Sequence, residues 1–417
     1  MNFVFRGNTM TDEQNLKKTV LHSRHVDLGA LMSPFAGWDM PLWYPAGAVK
    51  EHLAVVTAAG LFDTSHMDVF FICGDGAQTF LDHAFTRDLS GVRENRALYG
   101  AFLSENGHCI DDAVLYPLAG GRFAVVSNAG MGSVLVNHLR ALPGGDRLDI
   151  AEPAERLAKL DVQGPRAPGI VKTLLADKTL FEAFPYFSFK GDFDLARTTV
   201  SINGGMPVLL SRSGYTGEAG FEIFCSLADA GALWDTLLRV GAEAGIVTCG
   251  LAARDSLRTG AVLPLSHQDI GPWPFINHPW TFALPFGEGG GFTKSFVGSA
   301  ALDPAKTEHT LPFVGFDQRR VESHDARVLH GGKDIGCVAT IVSDMAMGRL
   351  PDKSIMALSV ADRPADWKPR GLACGFIRVS EKLAPGEQVT LKDKRREIAV
   401  EIAADIRPGR TARKKLQ

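Results

Sequence analysis

The sequence lacks several features that would place it in a specialised class. Across 417 residues no apolar run approaches the roughly 20 residues that a membrane-spanning helix needs. The formal net charge is -3, so the basic excess typical of nucleic-acid-binding proteins is missing. Charged and polar residues interrupt Met1–Lys18, which leaves no signal-peptide core. We therefore expect no membrane and no nucleic acid among the partners.

Cysteine pairs at metal-site spacing are also missing. The 6 cysteines are dispersed and form no Cys-x-x-Cys motif. Without a signal peptide, this usage indicates reduced thiols and a cytoplasmic location. His22 and His25 are the nearest histidine pair, and no cysteine lies close enough to complete a zinc site. The sequence therefore predicts no metal site.

What the chain does contain is the material of a globular protein. Hydrophobic residues make up 45% and charged residues 22%, close to the average of such proteins. The length indicates two or three domains. Hairpin signals occur at Asn106-Gly107, Gly120-Gly121 and Asn203-Gly204-Gly205. Apolar periodicity predicts helices over 46–61, 76–85, 131–142, 165–176 and 228–246. This mixture favours an α+β fold up to about residue 260.

The second half of the chain changes character. Residues 264–296 are rich in Pro, Trp, Phe and Gly, and such aromatic residues favour burial. We expect a packed crossover there rather than a flexible linker. From residue 309 to 406, short strands recur between turn signals at Gly331-Gly332 and Pro385-Gly386. This spacing predicts a separate β-barrel or β-sandwich.

Two adjacent carboxylates, Asp111 and Asp112, begin an apolar strand. Neighbouring side chains of a strand point to opposite faces, so Asp112 shares a face with Val114 and Tyr116. One acid can then face a pocket while the other faces solvent or a backbone amide. A carboxylate with apolar neighbours tends to have a raised pKa and can exchange protons near neutral pH. The alternative is that both acids simply end a hairpin strand in solvent.

Other segments leave similar alternatives open. The stretch 211–222 places Tyr215 among three glycines, which suits either close approach to a ligand or an ordinary turn. Met67 and His66 fit a pocket wall or a core. The basic C-terminal residues suggest a solvated end or a contact with an anion or an acidic partner. These basic residues are Arg407, Arg410, Arg413, Lys414 and Lys415.

Taken together, eight segments resemble the aminomethyltransferase family, the T-proteins of the glycine cleavage system. Each motif alone is weak, but the eight occur in the family's order over roughly residues 20–260. They are PFAGWDMPLWY (34–44), GLFDTSHM (60–67), ALYGAFL (97–103), IDDAVLY (110–116), VVSNAG (125–130), VQGPRA (162–167), SRSGYTGEAGFEI (211–223) and CGLAARDSLR (249–258).

The resemblance implies a fold and a reaction. The fold would be a three-domain cloverleaf, with two interleaved α+β folate-binding domains over 20–290 and an antiparallel β-barrel over 308–415. The implied enzyme takes the one-carbon unit from the aminomethyl-lipoyl arm of H-protein. Tetrahydrofolate, the co-substrate, becomes 5,10-methylenetetrahydrofolate, and ammonia leaves.

The resemblance also implies site residues. Asp112 would lie beside the reactive pterin nitrogens as the catalytic acid or base, with Asp111 supporting it. The remaining expected folate-binding residues are Met67, Tyr99, Asn128, Tyr215 and Glu222.

One position departs from the family pattern. Family members continue Arg-Asp-x-Leu-Arg with Leu-Glu-Ala-Gly, and the resemblance implies that this glutamate holds the pterin edge; here Gly260 occupies its place. A missing charge-assisted hydrogen bond is typically worth about 1.5–3 kcal/mol. This predicts weaker folate binding, a substitute acid or a different ligand. Glu218, Glu222 and Asp269 are the candidate substitutes.

The departure keeps two alternative functions open. One is a tetrahydrofolate-dependent demethylase of a small methylated amine, sulfonium or aryl ether, with the aromatic loop 264–286 enclosing a cation. The other is a non-enzymatic folate-binding protein, like a sister family that assists iron–sulfur cluster assembly. That family carries a cysteine motif before the barrel, and residues 291–302 contain no cysteine.

Overall fold

The computed structural model describes residues 15–152, 157–303, 305, 308–322 and 326–416. Its α-helices are α1 (His22–Asp27), α2 (Ala48–Thr57), α3 (Ala77–Ala84), α4 (Gly132–Ala141), α5 (Ala167–Leu174), α6 (Leu227–Gly241) and α7 (Leu251–Gly260). The strands before the crossover are β1 (Leu31–Phe35), β2 (Trp38–Trp43), β3 (Ala59–Asp63), β4 (Asp68–Cys73), β5 (Leu98–Leu103), β6 (Cys109–Leu118), β7 (Arg122–Ser127), β8 (Asp149–Ile150), β9 (Leu157–Gln163), β10 (Phe189–Lys190), β11 (Ser201–Ile202), β12 (Met206–Pro207), β13 (Leu209–Ser211), β14 (Gly220–Ser226) and β15 (Ile246–Thr248). Those after it are β16 (His309–Gly315), β17 (Arg327–His330), β18 (Lys333–Asp344), β19 (Met347–Arg349), β20 (Ile355–Ala357), β21 (Leu372–Val379), β22 (Gln388–Lys392) and β23 (Glu397–Ile402).

Two sheets form the first part of the molecule. One has the strand order β10-β13-β14-β9-β3-β15, and the other has the order β5-β6-β7-β4-β8. The neighbouring strands are antiparallel except for β15, which runs parallel to β3. The chain passes from β3 in the first sheet to β4 in the second and returns at β9. The two α+β units are therefore interleaved in sequence.

Each sheet has its own core. In the six-stranded sheet, α6 places the fully buried side chains of Leu233, Trp234 and Leu237 in one apolar cluster with strand residues such as Leu160. In the five-stranded sheet, α3 and α4 contribute to a second cluster. These helices have the apolar periodicity from which the sequence predicted them.

The C-terminal strands close into a barrel with the order β16-β21-β18-β17-β22-β23. All neighbouring pairs in it are antiparallel, and closure removes the unpaired edges that a sandwich leaves open. The prediction of a barrel or sandwich is thus resolved in favour of the barrel. Strand β21 is buried along its whole length: Phe376 packs with the crossover, and Leu372 and Cys374 pack in another cluster that includes Met347 and Ile406.

The crossover 264–296 packs as predicted. Phe275 and Trp280 are almost fully buried, and the Trp280 ring meets Phe376 of the barrel at a centroid distance of 5.4 Å. The Trp280 indole N–H donates to the Val262 carbonyl at 2.9 Å. The same apolar cluster includes Ala101 of the five-stranded sheet. The crossover therefore joins that sheet to the barrel.

Helix ends differ from the predicted ones where strand pairing wins. The helix predicted over 46–61 ends at Thr57, because residues 59–63 form β3 between β9 and β15. Likewise α6 ends at Gly241, and the apolar residues that follow form β15. Periodicity cannot separate a short buried strand from the end of a buried helix. Within the described ranges, no helix is long and apolar enough to cross a membrane.

Candidate active site

A cavity of about 1200 Å³ lies where the two sheets, the crossover and the C-terminal tail meet. Its wall includes Tyr99 and Asp112 from β5 and β6, and Asn128 just after β7. The glycine-rich segment and β14 contribute Tyr215 and Glu222, and Met67 precedes β4. Of the residues expected from sequence, all but Asp111 line this one cavity.

Strand pairing explains how Asp112 and Tyr99 meet. Tyr99 lies opposite Val114 in the β5–β6 pair, so Asp112 is its diagonal neighbour on the same face. The Tyr99 hydroxyl donates to Asp112 Oδ2 at 2.6 Å. The register shifts between Phe102 and Leu103, at the start of the acidic pair. Such a bulge re-aims the side chains beside it.

Asn128 holds the two acids together. Its side-chain amide donates to Asp111 Oδ1 at 2.8 Å and to Asp112 Oδ1 at 2.7 Å, and its backbone N–H donates to Asp111 Oδ2 at 3.0 Å. Ser266 of the crossover adds a bond to Asp111 Oδ1 at 2.9 Å. Asp111 is fully buried and Asp112 is 8% exposed. The alternative that both acids end a strand in solvent is therefore wrong.

Burial changes the acid–base properties of this pair. It raises the pKa of Asp112 to about 6, and the neighbouring Asp111 acts in the same direction, while hydrogen bonds from Tyr99 and Asn128 oppose the rise. Burial and the charge of Asp112 also raise the pKa of Tyr99 well above its usual value. Asp112 can thus exchange a proton near neutral pH, while Tyr99 remains a hydrogen-bond donor.

A second carboxylate, Glu222, lies in the same cavity wall. Lys159 Nζ donates to Glu222 Oε1 at 2.5 Å, and the Ser213 hydroxyl donates to Oε2. Lys159 also donates to Asp161 at 2.7 Å. Glu222 therefore forms a largely buried ion pair with Lys159. The cavity thus presents a second carboxylate acceptor away from Asp112.

Tyr215 forms another part of the wall. Its hydroxyl donates to the Pro264 carbonyl. The guanidinium of Arg254 stacks 4.7 Å from the centre of its ring and pairs with Asp161 at 3.1 Å. The ring is therefore fixed from two sides, which suits a flat wall better than an ordinary mobile turn.

Met67 and His66 lie on the side of the cavity near Phe35. Met67 is half-buried and His66 is 4% exposed. Burial and the charge of Arg254 lower the pKa of His66 to about 4, so its ring is neutral. Among the described residues, His66 Nδ1 has no hydrogen-bond partner. This histidine is therefore not a fully satisfied core residue.

Sequence reasoning named Arg410 and Arg413 as candidate contacts with an anion but missed the other cationic side chains of the cavity. Arg87 and Arg96 line it from one side, Arg410 and Arg413 from the C-terminal tail, and His267 from the crossover. They come from distant segments, and only the basic charge of the tail gave a signal. The tail is only partly a solvated end: Arg407 is fully buried and the Lys414 carbonyl accepts from Arg212, whereas Arg413, Lys414 and Lys415 are exposed.

Gly260 does not line the cavity. A Cβ added there would overlap the Asp344 carboxylate and lie 2.8 Å from Arg407 Nη1, so a side chain at 260 would enter a buried ion pair. Of the candidate substitutes, Glu222 lines the cavity, whereas Glu218 pairs with Arg407 and Asp269 pairs with Arg258. Of the three candidate substitutes, Glu222 is therefore the one whose carboxylate lies at the cavity wall.

Comparison with known proteins agrees with this architecture. Residues 21–273 match the family described as the GCVT N-terminal domain. An aminomethyltransferase of Streptomyces avermitilis is 37% identical over 345 residues, covering 80% of this chain and 87% of the relative. One from a Geobacillus species is 35% identical over 328 residues, covering 78% and 86%.

A solved structure extends the likeness to the whole fold. The aminomethyltransferase T of the glycine cleavage system from Bartonella henselae matches with a TM-score of 0.74 and 26% identity. The match covers 96% of this chain and 100% of that one. The α+β cloverleaf with a C-terminal barrel is therefore confirmed. The chain belongs to the aminomethyltransferase family, the T-proteins of the glycine cleavage system.

Proposed function

We propose that this enzyme transfers a one-carbon unit from the aminomethyl-lipoyl arm of H-protein to tetrahydrofolate, yielding 5,10-methylenetetrahydrofolate and ammonia. The observation that supports this best is the carboxylate of Asp112, which lines a large cavity and has a pKa of about 6. A group with that pKa suits proton exchange with an amine nitrogen near neutral pH. We place the folate-binding region at 20–290, the barrel at 308–415 and the enzyme in the cytoplasm.

The donor and acceptor groups of the cavity match the chemistry of folate. A pterin presents N–H donors along a guanidine-like edge, and Asp112 and Glu222 are carboxylate acceptors at the wall. An aminobenzoyl ring needs flat apolar neighbours, which Tyr99, Tyr215 and Phe282 supply. The carboxylates of the glutamyl end need cations, and arginines line the same cavity. The residues present therefore fit tetrahydrofolate.

Bound folate would supply the nucleophilic nitrogens of the reaction. The role of Asp112 is to hold or accept the proton that these nitrogens release, and its negative charge favours a cationic iminium group nearby. Tyr99 and Asn128 fix the direction of the carboxylate through bonds of 2.6 and 2.7 Å. Asp111 does not line the cavity. Its carboxylate accepts from the backbone N–H of Asn128 and so holds Asn128 in place. The arrangement is preorganised, so little movement is needed to align the acid.

The demethylase alternative loses part of its support. It relied on the aromatic residues of 264–286, but Phe275 and Trp280 are buried in the cluster beside the barrel. Of the aromatic side chains that the structure describes in that loop, the one that lines the cavity is Phe282. The loop itself therefore contributes one ring to the cavity, which does not enclose a cation as the alternative required of the loop.

The test is a reconstituted assay. Purified protein, lipoylated H-protein carrying the aminomethyl group and tetrahydrofolate should release ammonia and form methylenetetrahydrofolate in equal amounts. A parallel reaction with unlipoylated H-protein is the control and should give neither product. Turnover of small methylated donors in place of loaded H-protein would instead support the demethylase. Absence of both activities, with folate binding intact, would exclude the proposed transfer.

A further inference from the structure

His267 has an unusual backbone conformation at the edge of the cavity. Its φ is 63°, in the left-handed region that non-glycine residues rarely adopt. Its side chain is 44% exposed and lines the cavity. Such strain persists where the surrounding structure requires it, and it often accompanies function.

The imidazole faces the buried acid pair. His267 Nε2 lies 3.5 Å from Asp111 Oδ1, and this interaction raises the pKa of His267, against the effect of partial burial. Apart from His267, the side chains that donate hydrogen bonds to the two acids among the described residues are neutral: Tyr99, Asn128 and Ser266. Two buried carboxylates with neutral donors are poorly compensated.

Among the described residues, the other titratable groups that face the pair most closely do not carry a positive charge. Tyr99, Cys109 and Tyr215 face Asp112, and Asp68 of β4 faces Asp111. The arginines beyond Tyr215 are committed to other acids. They are Arg254, paired with Asp161, and Arg258, paired with Asp255 and Asp269.

We propose that protonated His267 is the counter-ion of the Asp111–Asp112 pair and a positioning residue that keeps Asp112 ionised toward lower pH. The expected effect on turnover rests on the proposed function of Asp112. The ion pair between His267 and Asp111 does not depend on that function. A positive charge beside Asp111 lowers the cost of ionising both acids. Its loss raises the proton affinity of Asp112. The half-exposed position also lets His267 exchange its proton with solvent.

The direction of the effect on turnover follows from this. Without the imidazolium, the acid limb of the pH profile of kcat/KM moves to higher pH. A shift of half a unit to one unit lowers kcat/KM about three- to tenfold on the acid side. Above the pKa values of both Asp112 and His267 the two enzymes converge, because the imidazole is then neutral in the native enzyme too.

The experiment compares His267→Gly and His267→Asn with the native enzyme across the pH range. Both substitutes tolerate the left-handed conformation, so folding should be retained. A matched control is His330→Asn, because His330 is 38% exposed and pairs with Glu381 at 3.0 Å on the barrel, outside the cavity. We expect the control to keep the native profile. Added imidazole should restore the acid limb of His267→Gly.

A second readout does not depend on turnover. The ring of His267, followed by NMR in the native protein, should titrate above an ordinary histidine, and this elevation should disappear in Asp111→Asn. An unshifted pH profile in both His267 variants would overturn the effect on Asp112. An ordinary His267 titration, unchanged in Asp111→Asn, would overturn the ion pair itself. If no transferase activity exists, the NMR result alone decides the counter-ion, and the proposed function fails separately.

Discussion

Two buried acidic clusters in this protein are built in opposite ways. In the barrel cluster, Asp344 pairs with Arg407 at 2.7 Å and with His52 at 2.8 Å, and Glu218 lies 3.4 Å from Arg407. Although burial acts to raise it, the charges of His52 and Arg407 hold the pKa of Asp344 well below its usual range. This cluster is charge-compensated, and its acids do not line the cavity.

The cavity cluster is not compensated in this way. Asp111 and Asp112 are adjacent, buried and bonded mainly to neutral donors, with the half-exposed His267 as the cation beside them. The pKa of Asp112 is accordingly raised by burial, whereas neighbouring positive charges lower that of Asp344. A buried acid with its counter-charge stays ionised and is costly to uncouple, whereas an acid left near its titration point can exchange protons. Charge balance therefore separates the structural cluster from the functional one, and variants in each cluster can test that separation.

The largest expected effect is on catalysis. Asp112→Asn keeps the size of the side chain and a carbonyl acceptor for Tyr99 but removes the proton acceptor. We expect kcat to fall about 10²–10⁴-fold, with a smaller change in folate affinity. The measurement is methylenetetrahydrofolate formation with loaded H-protein. Asp192→Asn, which alters a partly buried ion pair with Arg122 away from the cavity, is the control and should keep native turnover. Full turnover in Asp112→Asn would exclude Asp112 as the proton acceptor.

In the compensated cluster the expected effect is on stability. Arg407→Met leaves Asp344 and Glu218 buried without their guanidinium. Breaking such a pair typically costs about 3–5 kcal/mol, which urea unfolding would measure. The control is Arg327→Met, because the Arg327–Asp334 pair is half-exposed and should contribute less than about 1 kcal/mol. Equal losses of unfolding free energy in the two variants would show that burial does not increase the cost of breaking these ion pairs.

Gly260 tests whether position 260 belongs to the barrel cluster or to the ligand site. A methyl group there overlaps the Asp344 carboxylate, so Gly260→Ala should lose about 1–3 kcal/mol of stability. Gly289→Ala is the control, because an added Cβ meets no atom within 4 Å. Calorimetry of Gly260→Glu should show no gain in tetrahydrofolate affinity. Tighter folate binding in that variant would restore the sequence-based hypothesis that a glutamate at 260 reaches the pterin.

The contrast between Asp112 and Gly260 also shows what the sequence could predict. Strand alternation is a local feature, and it allowed one of the two acids to face a pocket, whereas the choice of Asp112, with Asp111 supporting it, came from the family resemblance. A side chain at position 260 would meet Asp344 and Arg407 rather than the cavity. These two residues lie 84 and 147 residues further along the chain. His267 was missed for the same reason, since no local pattern indicates a contact with Asp111. Local rules predicted the elements and the resemblance supplied the central acid, while the contacts between distant segments required the structure.

The smallest expected effect is a difference in how stability depends on pH. The folded pKa of Asp112, about 6, is above the ordinary value of about 3.9, so the native state binds this proton more tightly than the unfolded state. Its contribution to stability is complete below about pH 4 and is lost as the pH rises through 6. Asp112→Asn should therefore become more stable than the native protein above pH 6.

We expect a gain of about 1–2 kcal/mol at pH 8, below the full value of a two-unit shift because Asn128 loses a charged acceptor. Asp344→Asn should behave in the opposite way. Its lowered pKa stabilises the fold above the ordinary carboxyl pKa, so this variant should lose most at neutral pH and least in acid. Urea unfolding of both variants at pH 4 and pH 8 measures the two trends. Parallel trends would mean that charge compensation does not distinguish the two clusters, because the sign of each pKa shift follows from it.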